Sequence, residues 1–128
     1  MNYDSWIKLK THQNEICKNI LSISKNIRYV GVFNQYGRTI SGKIRPGIKP
    51  LFFPNAVREE FFSVSSSIQL REKSSKSLGG FEYMIIHHKK INVLIFHKKN
   101  MTYYITAKNT VMFSATLIEK IKRLITRG

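Results

Sequence analysis

The chain has 128 residues, enough for one domain with a modest core, and its 42% hydrophobic and 12% aromatic content excludes a disordered polymer. Lys and Arg number 22 against 7 Asp and Glu, a formal net charge of +15. Such an excess bears on partners and solubility rather than fold, and it admits nucleic acid, an anionic membrane surface or an acidic protein alongside a purely compositional surplus of lysine.

Cys17 is the single cysteine, so neither an intramolecular disulfide nor a cysteine-based metal cage can form. The first twenty residues lack the apolar core of a signal peptide, and no run of about 18 apolar residues is present to span a bilayer. A soluble, cytoplasmic protein is expected, in which the Asn100-Met-Thr sequon is accidental.

Trp6, Leu9, Gln13, Ile16, Ile20, Ile23 and Ile27 recur at spacings of three and four, which predicts an amphipathic helix from about Ser5 to Lys25 with Asp4 or Ser5 as its cap. Cys17 lies beside that stripe and reads as a packed small hydrophobe, since no basic neighbour is at hand to activate a thiol. The segments RYVGVF and RTISGKI flank NQYG, a turn-forming cluster in which Asn34 starts the turn and Gly37 can take positive φ; this predicts a β-hairpin. RPGIKPLFF is a loop by its Pro and Gly content, and Pro54 opens a second helix running to about Lys73. FEYMIIHH, INVLIFH and MTYYITA are short, rich in β-branched and aromatic residues, and predict three strands joined by lysine-containing turns. Val111, Ala115, Ile118, Ile121 and Ile125 return to helical spacing, so a last helix is expected over Val111 to Arg127, capped by Asn109 or Thr110.

The order is α-β-β-α-β-β-β-α, a single α/β domain of the α+β kind over residues 1–128, without internal repeats. Phe81, Tyr83 and Ile85 on one alternating set and Met84 and Ile86 on the other make a strand apolar on both faces, which calls for helices on both faces of the sheet.

This order, with the YVGVFNQYGRTISG hairpin directly after a leading helix, resembles the roadblock (dynein light-chain) family of the profilin-like and longin-like folds. The resemblance implies a five-stranded antiparallel sheet with the second helix on one face and the terminal helices on the other. It also implies a non-enzymatic homodimer formed through second helices and third strands, acting as a scaffold or regulator of small GTPases and related switches. PAS-type sensors share a similar sheet but place several short helices where this chain has one loop and one helix.

The second helix carries a stripe of Val57, Phe61, Val64 and Ile68, yet Phe62, Ser66 and Leu70 form another ridge on nearly the opposite side. A solitary surface helix has no need of it; the bland alternative is scattered surface hydrophobes. Ser63 and Ser66 are small enough to admit a partner helix, and FEYMIIH would lie at a sheet edge open to pairing. Phe62, Ser63, Ser66, Leu70, Lys73, Phe81 and Tyr83 are therefore the expected dimer interface.

No catalytic or metal motif is present. His87 and His88 are adjacent on a strand, so they point to opposite faces and lack nearby carboxylates, which argues against a metal site. Asp4 is the only Asp, Ser65 to Ser67 have no nucleophile elbow, and KSLGG fits no phosphate-binding pattern, so neither enzymatic activity nor a cofactor is expected. Arg38, Lys43, Arg45 and Lys49 lie in one acid-free stretch with Tyr36, Phe52 and Phe53 nearby, and form the expected surface for an anionic partner. The favoured function is a dimeric protein-interaction module whose partner is a small GTPase or similar switch. The alternatives are a basic nucleic-acid-binding protein using residues 38–53, and a PAS-like small-ligand sensor, for which the core positions show no polar cluster.

Overall fold

The computed structural model describes residues 2–109 and 113–127. The elements are α1 (Tyr3–Ile23), β1 (Ile27–Asn34), β2 (Thr39–Ile44), α2 (Pro54–Glu72), α3 (Ser75–Leu78), β3 (Tyr83–His87), β4 (Ile91–Lys98), β5 (Met101–Lys108) and α4 (Ala115–Arg127). The strands form one antiparallel sheet in the order β2-β1-β5-β4-β3, so β2 and β3 are its edges. None of the described helices is long and apolar enough to cross a membrane.

Both faces of the sheet are covered, as the two-sided apolar strands require. On one face α1 and α4 pack Ile16, Cys17, Ile20, Ile121 and Ile125 against Val30, Val32, Leu94, Phe96, Tyr103 and Ile105. On the other, α2 packs Phe61, Val64 and Ile68 against Phe33, Val93, Ile95 and Tyr104. Phe61 stacks on Phe33 at 4.4 Å between ring centroids and tilts against Tyr104 at 5.1 Å. Interior strands β4 and β5 are buried along almost their whole length, whereas edge strand β3 is half-covered at best.

The element boundaries differ from the sequence expectation where side chains intervene locally. The cap of α1 is Asn2, not Asp4 or Ser5, because the Asn2 carboxamide oxygen accepts from Ser5 N at 2.8 Å. The helix ends at Ile23, where Ser24 turns extended, so Ile27 is a strand residue that continues the helical spacing by coincidence. Trp6, at the outer end of the stripe, is 39% exposed. A one-turn helix, α3, follows α2 and was not expected; Gly79 at φ 81° terminates it. The described part of the last helix begins at Ala115 with Ser114 Oγ accepting from Leu117 N, while the expected cap Asn109 instead donates its side-chain amide to Lys89 O across the end of the sheet. Thr110 and Val111, also placed in that helix start, lie outside the described residues.

Candidate functional site

The β1–β2 turn is built as its sequence suggests, then serves as a clamp on α2. Asn34 Oδ1 accepts from Tyr36 N and Arg38 N, and Gly37 sits at φ 79°. A Cβ on Gly37 would lie 2.8 Å from the main chain of Phe62, so glycine is required both for its conformation and for the close approach. From the helix, Ser65 Oγ donates to Gln35 O at 2.5 Å and Gln69 Nε2 donates to the same oxygen at 2.6 Å. The rotation of α2 about its axis is thereby fixed, with Phe61, Val64, Ser65 and Ile68 inward.

The opposite side of α2 then faces outward. Phe62 is 61% exposed and Leu70 62%, with exposed Ser63, Ser66 and Lys73 beside them and no acidic residue closer along the ridge than Glu59. Phe81 is half-buried against the α2-side core, its N–H donating to Glu72 Oε1 at 3.1 Å, so it lies beside the C-terminal end of α2. Tyr83 is not on the same face. Its cross-strand partner is Phe96, which belongs to the α1/α4 side, and the two rings lie 5.4 Å apart. Six of the seven expected interface residues thus gather around α2, while Tyr83, with half-exposed Ile85, shows on the reverse of the same open edge strand.

The expected anionic-partner residues are dispersed rather than gathered. Arg38 is exposed at the hairpin turn, and Lys43 stands opposite Val30 on the α1 side of edge strand β2. Lys49 lies in the β2–α2 loop on the other side of the sheet, at an apolar cavity. Arg45 is engaged by the fold: its Nε donates to Ile27 O at 2.8 Å, and one terminal nitrogen donates to Leu21 O at 2.6 Å and Ser24 O at 2.8 Å. The Leu21 and Ser24 carbonyls end α1, which has no basic residue in its own last turn, so the guanidinium caps that helix from a distant segment, while Ile27 opens β1. Nothing in the local sequence around Arg45 announces this role.

Titratable groups elsewhere serve packing. Burial pushes the fully enclosed Cys17 thiol up to about 11, away from a reactive thiolate. Burial likewise raises Tyr104, whose hydroxyl donates to Glu60 Oε2 at 2.6 Å, and pushes Tyr29 up to about 12. His97 is lowered, chiefly by burial, and its Nδ1 faces Thr102 Oγ1 at 3.3 Å. His87 Nδ1 contacts Asn92 Oδ1. Among the described residues no three His, Cys, Asp or Glu side chains converge where a metal ion could sit.

No protein-family model matches the sequence, and no curated protein does. Solved structures match along nearly the whole chain. MglB in a tetrameric arrangement is 14% identical, covering 97% of this chain and 88% of that one with a TM-score of 0.70. The Roadblock/LC7 domain from Streptomyces avermitilis is 8% identical, with coverages of 89% and 92% and a TM-score of 0.68. Profilin from Schizosaccharomyces pombe is 13% identical, with coverages of 90% and 98% and a TM-score of 0.56. With a single five-stranded antiparallel sheet between helices and a match along nearly the whole chain to these structures, the chain has the roadblock-like, profilin-like fold.

Proposed function

We propose that this chain is a non-enzymatic protein-interaction module that pairs with a second copy of itself through the outward face of α2 and the open edge of β3. The observation that carries the reading is the exposure of Phe62 and Leu70 on a helix whose inward face is already filled by Phe61, Val64 and Ile68. Burying a Phe or Leu side chain contributes about 1.5–3 kcal/mol, so two from each copy give roughly 6–12 kcal/mol before costs. Association itself costs on the order of 4–15 kcal/mol. The helix ridge alone therefore falls short of a tight dimer, and main-chain pairing at the β3 edge supplies the remainder. The tetrameric arrangement of MglB is consistent with a fold that self-assembles. The small GTPases suggested by the roadblock resemblance are the partner class to which such a dimer would present its combined surface.

Light scattering on the wild type and on a Phe62→Glu, Leu70→Glu variant tests this. The expected masses are twice the 14.9 kDa chain for the wild type and one chain for the variant, with unchanged circular dichroism. A wild type that is monomeric at about 100 μM, a concentration at which even a weak Kd of 10 μM would give mostly dimer, refutes it.

A further inference from the structure

Every neighbouring pair in the sheet is antiparallel, so β1 and β4 begin at the end where β2, β3 and β5 finish, with Ile27 beside Ala107 and Ile91 beside Lys108. The end of α1 lies there too, because Arg45 reaches its last carbonyls. So does the loop before α2, whose Leu51 and Phe52 line a shallow cavity with His88, Lys90 and Ile91. Exposed Lys25, Lys49, Lys89, Lys90 and Lys108 are thereby gathered at one end of the molecule from four separate segments, none of which contains an Asp or Glu. Acidic residues stand at the other end: Asp4 starts α1, Glu72 ends α2, and the Glu82 carbonyl accepts from His97 N near the finish of β4. Of the four cations expected to meet an anionic partner, only Lys49 belongs to this cluster.

The same loop carries Leu51, Phe52 and Phe53, which are 45%, 37% and 86% exposed. Phe53 occupies the N-cap of α2 in extended backbone, yet it gives the helix no side-chain hydrogen bond. Ser, Thr, Asp and Asn are strongly preferred at that position, so an exposed phenyl ring forgoes a cap and adds nothing to the core. A local rule broken without gain to the fold marks a functional position. From Pro50 to Pro54 no side chain bears a hydrogen-bonding group, and the two prolines lack N–H, so this stretch has few polar groups to desolvate.

From this juxtaposition we infer that the lysine-rich end of the sheet docks on an anionic lipid bilayer. The lysines meet the headgroups, and Leu51, Phe52 and Phe53 enter the boundary between headgroups and acyl chains. Nucleic acid would satisfy the charge equally well, but polar side chains and main-chain N–H groups are what grip its phosphates beside stacked aromatics. An apolar tip set among lysines instead matches a surface that is charged outside and apolar beneath. This docking does not depend on pairing through α2.

The test is co-sedimentation of the full chain with vesicles of phosphatidylcholine alone or with about 30% phosphatidylserine, at about 0.15 M salt. Binding is expected to the anionic vesicles and not to the neutral ones. Phe53→Ser removes the ring while supplying a favoured cap, so the protein should stay folded and bind about tenfold more weakly. Lys89→Gln with Lys90→Gln should weaken binding about fivefold for each lysine. Lys8→Gln with Lys10→Gln makes the same charge change at exposed positions near the start of α1, and should alter binding by less than about twofold. The inference is overturned by any of three results: no binding to anionic vesicles at about 1 mM lipid, undiminished binding of Phe53→Ser, or an equal loss in the two lysine pairs. A poly-dT oligonucleotide that displaces the chain from vesicles and itself binds Phe53→Ser more weakly would overturn it in favour of nucleic acid.

Discussion

Replacing Arg45 with Ala should destabilise the fold, although the residue sits in a basic loop that a sequence reader assigns to partner binding. Its guanidinium makes three hydrogen bonds to main-chain oxygens, at Ile27, Leu21 and Ser24, between 2.6 and 2.8 Å. Hydrogen bonds to a charged group contribute about 1.5–3 kcal/mol each, but two here share one nitrogen and water would replace part of all three. A cation at a helix C-terminus adds about 0.3–1 kcal/mol. The expected loss is about 2–4 kcal/mol, a large fraction of the 5–15 kcal/mol typical of a domain. At about 4 °C per kcal/mol for a chain of this size, the midpoint of thermal unfolding falls by about 10 °C. Lys at this position keeps the charge without the planar fork and should restore only about 1 kcal/mol. Exposed Lys43→Ala, the control, should stay within about 0.5 kcal/mol of wild type. Thermal and urea unfolding followed by circular dichroism measure all three. An Arg45→Ala protein that melts within about 2 °C of wild type would show that the contacts carry no net stability and return Arg45 to the surface.

Substitutions at three other places probe further contacts. Gly37→Ala combines a φ of 79° with a Cβ only 2.8 Å from the Phe62 main chain, whereas Gly47→Ala at φ 82° meets open space; the first should cost about 3 kcal/mol and the second about 1 kcal/mol in urea unfolding. Tyr103→Phe removes the 2.7 Å bond to buried Gln13 Oε1 and should cost about 1–2 kcal/mol, much of it recovered when Gln13→Leu is added, since the loss comes mainly from stranding a buried acceptor. The Cys17 thiol is raised in the folded state from 9.0 to about 11, so the fold holds this proton more tightly than the unfolded chain does. Its contribution is fully present below about pH 9 and is lost as pH rises toward 11, and Cys17→Ala should remove roughly 2 kcal/mol from the alkaline decline in stability.

Periodicity made most of the fold legible. Pro54 located α2 at its observed start, the NQYG turn located the first hairpin, and short segments rich in β-branched and aromatic residues located the other three strands. What the sequence concealed depends on contacts between distant segments. Arg45 looks like any loop cation until β2 carries it to the end of α1. A bulge at Arg28, where Ile27 pairs with Ala107 and Tyr29 with Thr106, leaves one faint trace, in that Ile27 and Val30 break the alternation by which Val30 and Val32 share a face. Strand alternation groups Tyr83 with Phe81, but Phe81 precedes the strand, so strand parity does not govern it and the two face opposite sides. The outward ridge of α2 was readable because Phe62, Ser66 and Leu70 repeat every four residues, whereas the lysine-rich end of the sheet comes from separate segments and shows only once they fold together.

Cross-linking through Ser66→Cys tests the central claim most directly, because it reports which surface meets its copy. Ser66 is exposed between Phe62 and Leu70, and the native thiol, Cys17, is fully buried and will not compete. Two α2 helices packed through this ridge bring the new thiols together, so mild oxidation should convert most of the Ser66→Cys protein to a disulfide-linked dimer at micromolar concentration. Glu119→Cys, exposed on α4, should remain a monomer under the same conditions. A Ser66→Cys protein whose thiol reacts freely with maleimide yet yields no more covalent dimer than Glu119→Cys would contradict the account.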